Sequence, residues 1–127
     1  MVITGRNETK VKEVAQKCLD FTESENVLEV VADMSKDEDV RRLLNQTIER
    51  FCKLDILVNN AGICKLTDAF DPNIMYVFDE TFRINVRQLL LLTTLAIPYL
   101  IETKGNIVNI SSDGGLKPVY SYAFVMI

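Results

Sequence analysis

The 127-residue sequence contains no histidine, and this absence removes two common kinds of catalytic site. A serine–histidine–aspartate triad cannot form, and a metal centre with imidazole ligands cannot form either. The three cysteines, Cys18, Cys52 and Cys64, are widely spaced, odd in number and include no C-x-x-C pair. We therefore expect reduced thiols in an intracellular protein.

Excess basic charge and long apolar runs are also absent. Lysine and arginine number 14 against 18 acidic residues, a formal net charge of −4, which argues against a nucleic-acid partner held by bulk charge. The N-terminus has no apolar core of signal-peptide length. The longest apolar stretch, residues 89–101, is interrupted and shorter than the roughly 20 residues that cross a bilayer. We expect a cytoplasmic protein with no membrane partner.

The composition, 48% hydrophobic and 25% charged, is that of an ordinary globular chain of one domain at most. Short apolar runs at residues 1–4, 27–32, 56–58 and 106–112 predict four strands, and amphipathic segments between them predict helices. Asn7 can cap the first helix, Ser35 begins a capping-box pattern for the second, and Pro98 should kink or end a third over residues 79–102. This order predicts an α/β fold with a doubly wound parallel sheet.

Polar and glycine residues follow the predicted strands at the points where each strand ends. Arg6, Asp33, residues 59–62 and residues 111–115 occupy these positions. Ligands of such sheets bind beyond the carboxyl ends of the strands, so we expect these residues to share one edge of the sheet.

Five pieces of the sequence, taken in order over about residues 1–115, form a recognisable set. They are Thr4-Gly5-Arg6-Asn7, Asp33-Met34-Ser35, Asn59-Asn60-Ala61-Gly62, Asn85 and Asn109-Ile110-Ser111-Ser112. In this order the chain resembles the short-chain dehydrogenase/reductase family, the single-domain NAD(P)-dependent oxidoreductases with a Rossmann-like fold.

The resemblance implies a set of cofactor contacts. Arg6 would reach the 2′-phosphate, which favours NADP over NAD; the alternative is an exposed arginine at a helix start. Asp33 would accept a hydrogen bond from the adenine amine, or would simply help to start the next helix. The remaining implied cofactor contacts are Met34, Asn59, Asn60, Ala61, Gly62 and Ile110.

The resemblance also implies catalytic roles on a small-molecule carbonyl or alcohol. Asn85 would hold a water in a proton relay, the alternative being an asparagine turned to solvent. Ser112 would hydrogen-bond the substrate oxygen, with Ser111 a weaker candidate. Tyr122 would exchange the proton, although the family's lysine four residues later is here Met126. No metal ligand is expected.

Two family features fall outside these residues. Positions 6–12 contain no glycine, so Thr4-Gly5 is not the phosphate-binding fingerprint and resembles the family's second strand instead. The first strand with its glycine-rich loop, the catalytic lysine and the last strands would lie beyond both ends. We therefore expect residues 1–127 to form a partial NAD(P)-binding domain, truncated at both ends relative to the family and incomplete for catalysis.

The missing first strand would lie between the strands at residues 1–4 and 56–58, so we expect a loose or rearranged fold. Three interpretations stay open: an NADP-preferring oxidoreductase fragment, a non-catalytic dinucleotide-binding or regulatory remnant, and a truncated product or incomplete gene model. The helix from near Asp79 is apolar on more than one face at residues 89–92. It either forms a homo-oligomer, as in the family, or is covered by other parts of the domain.

Overall fold

The computed structural model describes residues 1–68 and 70–112, in which strands alternate with helices. The strands are β1 (Val2–Gly5), β2 (Leu28–Val31), β3 (Ile56–Asn59) and β4 (Asn106–Asn109). The helices are α1 (Glu8–Cys18), α2 (Asp37–Phe51), α3 (Ile74–Phe82) and α4 (Leu89–Thr103), with a short 3₁₀ turn at Ser24–Asn26 and a π-helical segment at Arg83–Gln88. The α/β order predicted from the sequence is confirmed.

The four strands form two parallel pairs. Strand β1 pairs with β2, with Thr4 opposite Val30, and β3 pairs with β4, with Val58 opposite Val108. Within the described residues β1 and β3 are not hydrogen-bonded to each other, so the sheet consists of two two-stranded parts. This is the interruption expected if one further strand separates β1 from β3 in the parallel order.

Helix α1 begins as the sequence predicts. The Asn7 side chain accepts a hydrogen bond from the Lys10 amide at 3.0 Å and so satisfies one of the free donors of the first turn. Val11 and Ala15 lie on one face of the helix and are buried against β1 and β2. Arg6 therefore lies in the short connection between the end of β1 and the first turn of α1.

The predicted Ser35 cap of helix α2 is wrong. The helix begins at Asp37, and no side chain caps its first residue. Instead, the Ser35 amide donates to Asp33 Oδ1 at 3.0 Å, and the Asp33 amide donates to Asp39 Oδ2 at 2.8 Å. The Asp33 carboxylate therefore closes a tight turn by accepting the Ser35 amide, which the Glu38 side chain would accept in a capping box.

The predicted third helix is longer than expected and is not ended by Pro98. Helix α3 begins at Ile74, and the helical run continues through the π-helical segment and α4 to Thr103. Pro98 faces solvent, whereas Ala96 and Leu100 are buried on the other side, so packing maintains the helix where a hydrogen bond is lost. The helix ends at Thr103, and Lys104 follows it in a left-handed conformation with φ 54°.

The continuous helix Ile74–Thr103 also exceeds the length expected from the apolar run at residues 89–101. It has 30 residues and a most apolar window of mean hydropathy 1.5, enough by length and composition alone to cross a membrane. Core helices of soluble proteins meet the same criterion, so this helix is weak evidence for a membrane segment.

The main core lies between β2, α2 and α4, with β3 at its margin. Its best-buried members come from all four elements: Val30, Ala32, Val40, Leu43, Leu44, Leu57, Leu92, Ala96 and Leu100. Because α2 packs on both β2 and α4, it joins the two strand pairs that share no hydrogen bond among the described residues.

Candidate functional site

A cleft of about 180 Å³ opens where β1, β2 and β3 end. The end of β1 supplies Thr4, Gly5 and Arg6, and the turn after β2 supplies residues 32–35. The loop after β3 supplies residues 61–63, and the π-helical segment supplies Ile84. Residues far apart in the sequence therefore line one cleft at the carboxyl edge of the sheet, where the sequence analysis predicted them.

Arg6 and Asp33 give the cleft one cationic and one anionic group. The Ser35 amide and hydroxyl, and after them the positive charges of Arg6 and Lys36, hold the pKa of the Asp33 carboxyl below its usual value. Asp33 is half-buried and lines the cleft, so it remains an ionised acceptor at neutral pH. Arg6 is exposed and lines the same cleft, and its fork of donors suits a phosphate.

Asn59 is the last residue of β3, and its contacts connect β3, β4 and α4. Its buried Nδ2 donates to Thr93 Oγ1 at 3.0 Å and to Asn109 Oδ1 at 2.9 Å, while its carbonyl accepts from the Ile110 amide at 3.0 Å. Asn59 thus holds the ends of β3 and β4 against helix α4. Asn59 does not line the cleft.

The predicted cofactor contacts therefore divide into two groups. Arg6, Asp33, Met34, Ala61 and Gly62 line the cleft. Asn59, Asn60 and Ile110 do not line it; Asn60 is exposed, and Ile110 is 54% exposed just past the end of β4.

Asn85 holds the loop after β3 against the long helix. Its Oδ1 accepts from the Ile63 amide at 2.9 Å, and its Nδ2 donates to the Ile63 carbonyl at 2.8 Å. The side chain is half-buried and is therefore not turned to solvent. Gly62 lies beside this side chain, and a Cβ there would be in van der Waals contact with Asn85 Oδ1, 3.4 Å away.

Asn85 belongs to the π-helical segment Arg83–Gln88, a geometry that often marks functional positions in helices. The sequence analysis did not predict this segment. It also did not predict Ile84, Ile63 or Ser35 as lining residues, although Ser35 belongs to the recognised piece Asp33-Met34-Ser35. The one available signal was the position of Ile84 and Ile63 beside recognised motifs, at Asn85 and Gly62.

The proposed catalytic serine lies on the continuation of β4. That strand ends at Asn109, beside Asn59, and Ser112 follows three residues later in an exposed position. Ser112 does not line the described cleft, although it continues from a strand that ends at the same edge. Tyr122 and residues 113–115 lie outside the described residues.

A parallel α/β sheet with a cleft at its carboxyl edge defines a nucleotide-binding class of fold. The family model for short chain dehydrogenases matches residues 1–124 of the chain. The chain belongs to the short-chain dehydrogenase/reductase family, and its fold is part of the family's Rossmann fold. The resemblance identified from the sequence is confirmed.

Individual relatives support this assignment. An 11-beta-hydroxysteroid dehydrogenase A of Sesamum indicum is 37% identical over 124 residues, which cover 98% of this chain and 35% of the relative. A cofactor-bound short-chain dehydrogenase/reductase of unknown function from Caenorhabditis elegans has a TM-score of 0.84 and 30% identity, covering 95% of this chain and 46% of that one. A 3-ketoacyl-(acyl-carrier-protein) reductase of Brucella melitensis, complexed with NADH, has a TM-score of 0.78 and 35% identity over 96% and 50%.

The chain therefore spans between about a third and a half of the length of these relatives. The short-chain dehydrogenase/reductase family uses NAD(P) cofactors. The NADH complex of one neighbour leaves the choice between NAD and NADP open.

Proposed function

We propose that residues 1–127 form the partial cofactor-binding domain of an NADP-preferring oxidoreductase that acts on a carbonyl or secondary alcohol. The observation that supports this proposal is the convergence of Arg6, Asp33 and Gly62 on one cleft. The three residues come from three separate strand ends, so their proximity depends on the fold and not on the spacing in the sequence.

The lining residues fit the adenosine end of a dinucleotide. Gly5, Ala61 and Gly62 are small and leave room for a flat ring close to the backbone. Arg6 offers a planar pair of donors for a 2′-phosphate. Asp33 stays ionised and can accept from an amine or a ribose hydroxyl. When bound, the nicotinamide of such a cofactor would supply or receive the hydride.

The catalytic assignments are part of the same proposal. Ser112 would hold the substrate oxygen and Tyr122 would transfer a proton to or from it. Both polar groups of the Asn85 side chain already contact Ile63, so any relay water must use a remaining lone pair, the second amide proton or the backbone carbonyl. We assign Asn85 first to holding residues 61–63 in place.

A second candidate function is dinucleotide binding without chemistry, for example in a regulatory remnant. Met126 stands four residues after Tyr122, where the family's lysine would lower the pKa of the phenol. Without that cation, Tyr122 would keep a proton at neutral pH that an active enzyme needs to move. This substitution favours binding without turnover in the chain taken alone.

Equilibrium titration of the purified chain tests cofactor binding. We expect micromolar affinity for NADPH by fluorescence and an affinity about 10-fold to 100-fold lower in Arg6→Glu, because charge-assisted hydrogen bonds are worth about 1.5–3 kcal/mol. Binding of NADH should change much less. Arg50→Glu, at the far end of α2, makes the same charge change away from the cleft and serves as the control. No binding of either nucleotide, or equal losses in both variants, would contradict the proposal.

Turnover distinguishes the two candidate functions. The chain, supplied with NADPH and a panel of ketones and quinones, should oxidise the cofactor no faster than background. Activity that disappears in Tyr122→Phe would instead establish a catalytically complete chain. The assay follows NADPH absorbance with the same variants used for binding. A variant that fails to bind NADPH is thereby distinguished from one that binds NADPH without turnover.

The cellular location and the oligomeric state are also part of the proposal. We propose a cytoplasmic protein, with no nucleic-acid or membrane partner. The long helix exposes Leu90, Ile97 and Ile101, and we propose it as the contact if the protein forms a homo-oligomer. Sedimentation of the wild type and of Leu90→Glu measures that contact.

A further inference from the structure

The cleft is lined by Ile84 of the π-helical segment and by the turn at residues 33–35, and Gln88 of the same segment also contacts that turn. Arg87 and Gln88 come from the same π-helical segment but do not line the cleft. Both side chains bind Asp37, two residues after the turn.

Their contacts converge on Asp37, the first residue of α2. The Arg87 guanidinium binds the Asp37 carboxylate through two bonds, 2.6 Å to Oδ1 and 2.8 Å to Oδ2. Gln88 Nε2 donates to Asp37 Oδ1 at 2.8 Å and lies 3.4 Å from the Ser35 carbonyl oxygen. We call these three side chains the Asp37 clamp; it joins elements about fifty residues apart in the sequence.

The two branches of the clamp differ in burial. The side chains of Arg87 and Asp37 are 57% and 37% exposed, so water screens their attraction. Gln88 is only 1% exposed. Its Oε1 is buried and has no hydrogen-bond partner among the described residues. An apolar side chain would fill the same space without this cost, so packing alone does not explain a glutamine here. The buried amide donor, directed at Asp37 and Ser35, is the part of Gln88 that the surroundings use.

We propose that Gln88, assisted by Arg87, is a positioning residue that sets the distance between the turn at residues 33–35 and Ile84, and thereby the affinity of the cleft for the adenosine end of a dinucleotide. This inference rests on the proposed function for its ligand. The clamp fixes the start of α2, the start of α2 fixes the turn through the Asp39 carboxylate, and the turn carries Asp33. Neither Gln88 nor Arg87 needs to touch the ligand.

The experiment compares Gln88→Leu with Thr81→Val. Thr81 is fully buried on the same long helix, and its Oγ1 also has no partner in the described part of the chain. Both substitutions therefore replace a buried polar group by an apolar one of similar size, but only Gln88→Leu breaks the clamp. The ligand probe is 2′,5′-ADP, which contains only the adenosine end of NADP. Its binding is measured by isothermal titration calorimetry.

We expect Gln88→Leu to weaken 2′,5′-ADP binding about 10-fold and Thr81→Val to leave it within twofold. Hydrogen exchange supplies a second readout that does not need the ligand. Protection of the Asp33, Ser35 and Lys36 amides should fall in Gln88→Leu, while that of the Ala32 amide, bonded to the Gly5 carbonyl, should not. A general loss of packing would lower all four together.

The outcomes separate the inference from the proposed function. If the wild type fails to bind 2′,5′-ADP but exchange changes at the turn alone, the proposed function fails and the positioning role stands. If turn protection is unchanged in Gln88→Leu, or falls equally at Ala32, the inference is overturned. If Gln88→Leu does not fold, Arg87→Leu tests the exposed branch of the clamp. We then expect a smaller loss of protection at the turn amides. Unchanged protection in Arg87→Leu would overturn the positioning role.

Discussion

The two strand pairs differ in how completely helices cover them. The β1–β2 pair contacts both α1 and α2, and Val30 and Ala32 are almost fully buried. The β3–β4 pair contacts α4, which buries Leu57 and Asn59, but Ile56 and Val58 on the alternate positions are 58% and 54% exposed. All four residues of β4 are exposed.

This difference shows that the two strand pairs are unequally covered within the described residues. Parallel strands are normally covered on both faces, and their near-continuous apolar sequences reflect that burial. The sequence Ile56-Leu57-Val58 has such a run, yet only its middle residue is buried here. We therefore expect substitutions in the β3–β4 pair to have large effects only at its close contacts and small effects at its exposed positions.

Gly105→Ala should have the largest effect, because it acts where β3 and β4 meet. A Cβ at this position would lie 2.4 Å from the Asp55 carbonyl oxygen and 2.9 Å from Leu100 Cδ2. The first clash is with backbone, which cannot move without separating the strands. We expect a loss of about 3 kcal/mol or more in the free energy of unfolding, measured by urea titration.

Gly5→Ala provides the matched control in the other strand pair. Its Cβ would lie 3.4 Å from Val11 Cγ2, a side-chain atom that can shift. We expect a loss below about 1 kcal/mol. Equal losses at the two glycines would remove the proposed contrast between the halves, and absence of any cooperative transition in the wild type would favour the loose fold expected from the sequence.

Acid should affect both halves together, because a group of stabilised carboxylates lies at the start of α2, which packs on both β2 and α4. The Arg87 and Gln88 side chains hold the pKa of Asp37 far below its ordinary value, and hydrogen bonds from Asp33 and Arg42 lower the pKa of Asp39. A lowered folded-state pKa contributes stability above the unfolded value of 3.8, and this contribution is lost as the pH falls below it.

The melting temperature measured between pH 7 and pH 2.5 checks this prediction. We expect wild-type stability to decline below about pH 4, and Asp37→Asn to show a lower melting temperature at pH 7 with a shallower decline. Asp20→Asn, in the exposed segment after α1, should follow the wild-type curve. A decline of the same steepness in Asp37→Asn would show that this carboxylate does not contribute.

The strand and helix order could be predicted because each short apolar run ends in glycine, asparagine or aspartate. The convergence of Arg6, Asp33 and Gly62 could be predicted as well, since parallel strands bring their carboxyl ends to one edge. The Asn7 cap could be predicted because its partner, the Lys10 amide, is only three residues away in the sequence.

Other features depended on contacts distant in sequence. Ser35 does not cap α2 because the helix begins two residues later, at Asp37. The Ser35 amide instead donates to Asp33, and the Asp37 side chain is held by Arg87 and Gln88 from about fifty residues away in the sequence. Pro98 does not end the long helix because Ala96 and Leu100 are buried on the opposite side. Tertiary packing of this kind overrides local preference, so the π-helical segment and the Asp37 clamp had no sequence signal.

The smallest effect is expected at the exposed positions of β3. Replacing Ile56 and Val58 by threonine keeps the β-branched shape and removes two exposed apolar side chains, so stability should change by less than about 0.5 kcal/mol. Solubility should rise, because an exposed strand with an apolar face promotes association. Val30→Thr, at a position 2% exposed in β2, introduces a buried hydroxyl and should cost about 1–3 kcal/mol. If the β3 double variant is instead as destabilised as Val30→Thr, then Ile56 and Val58 are covered in solution and the two strand pairs are equally enclosed.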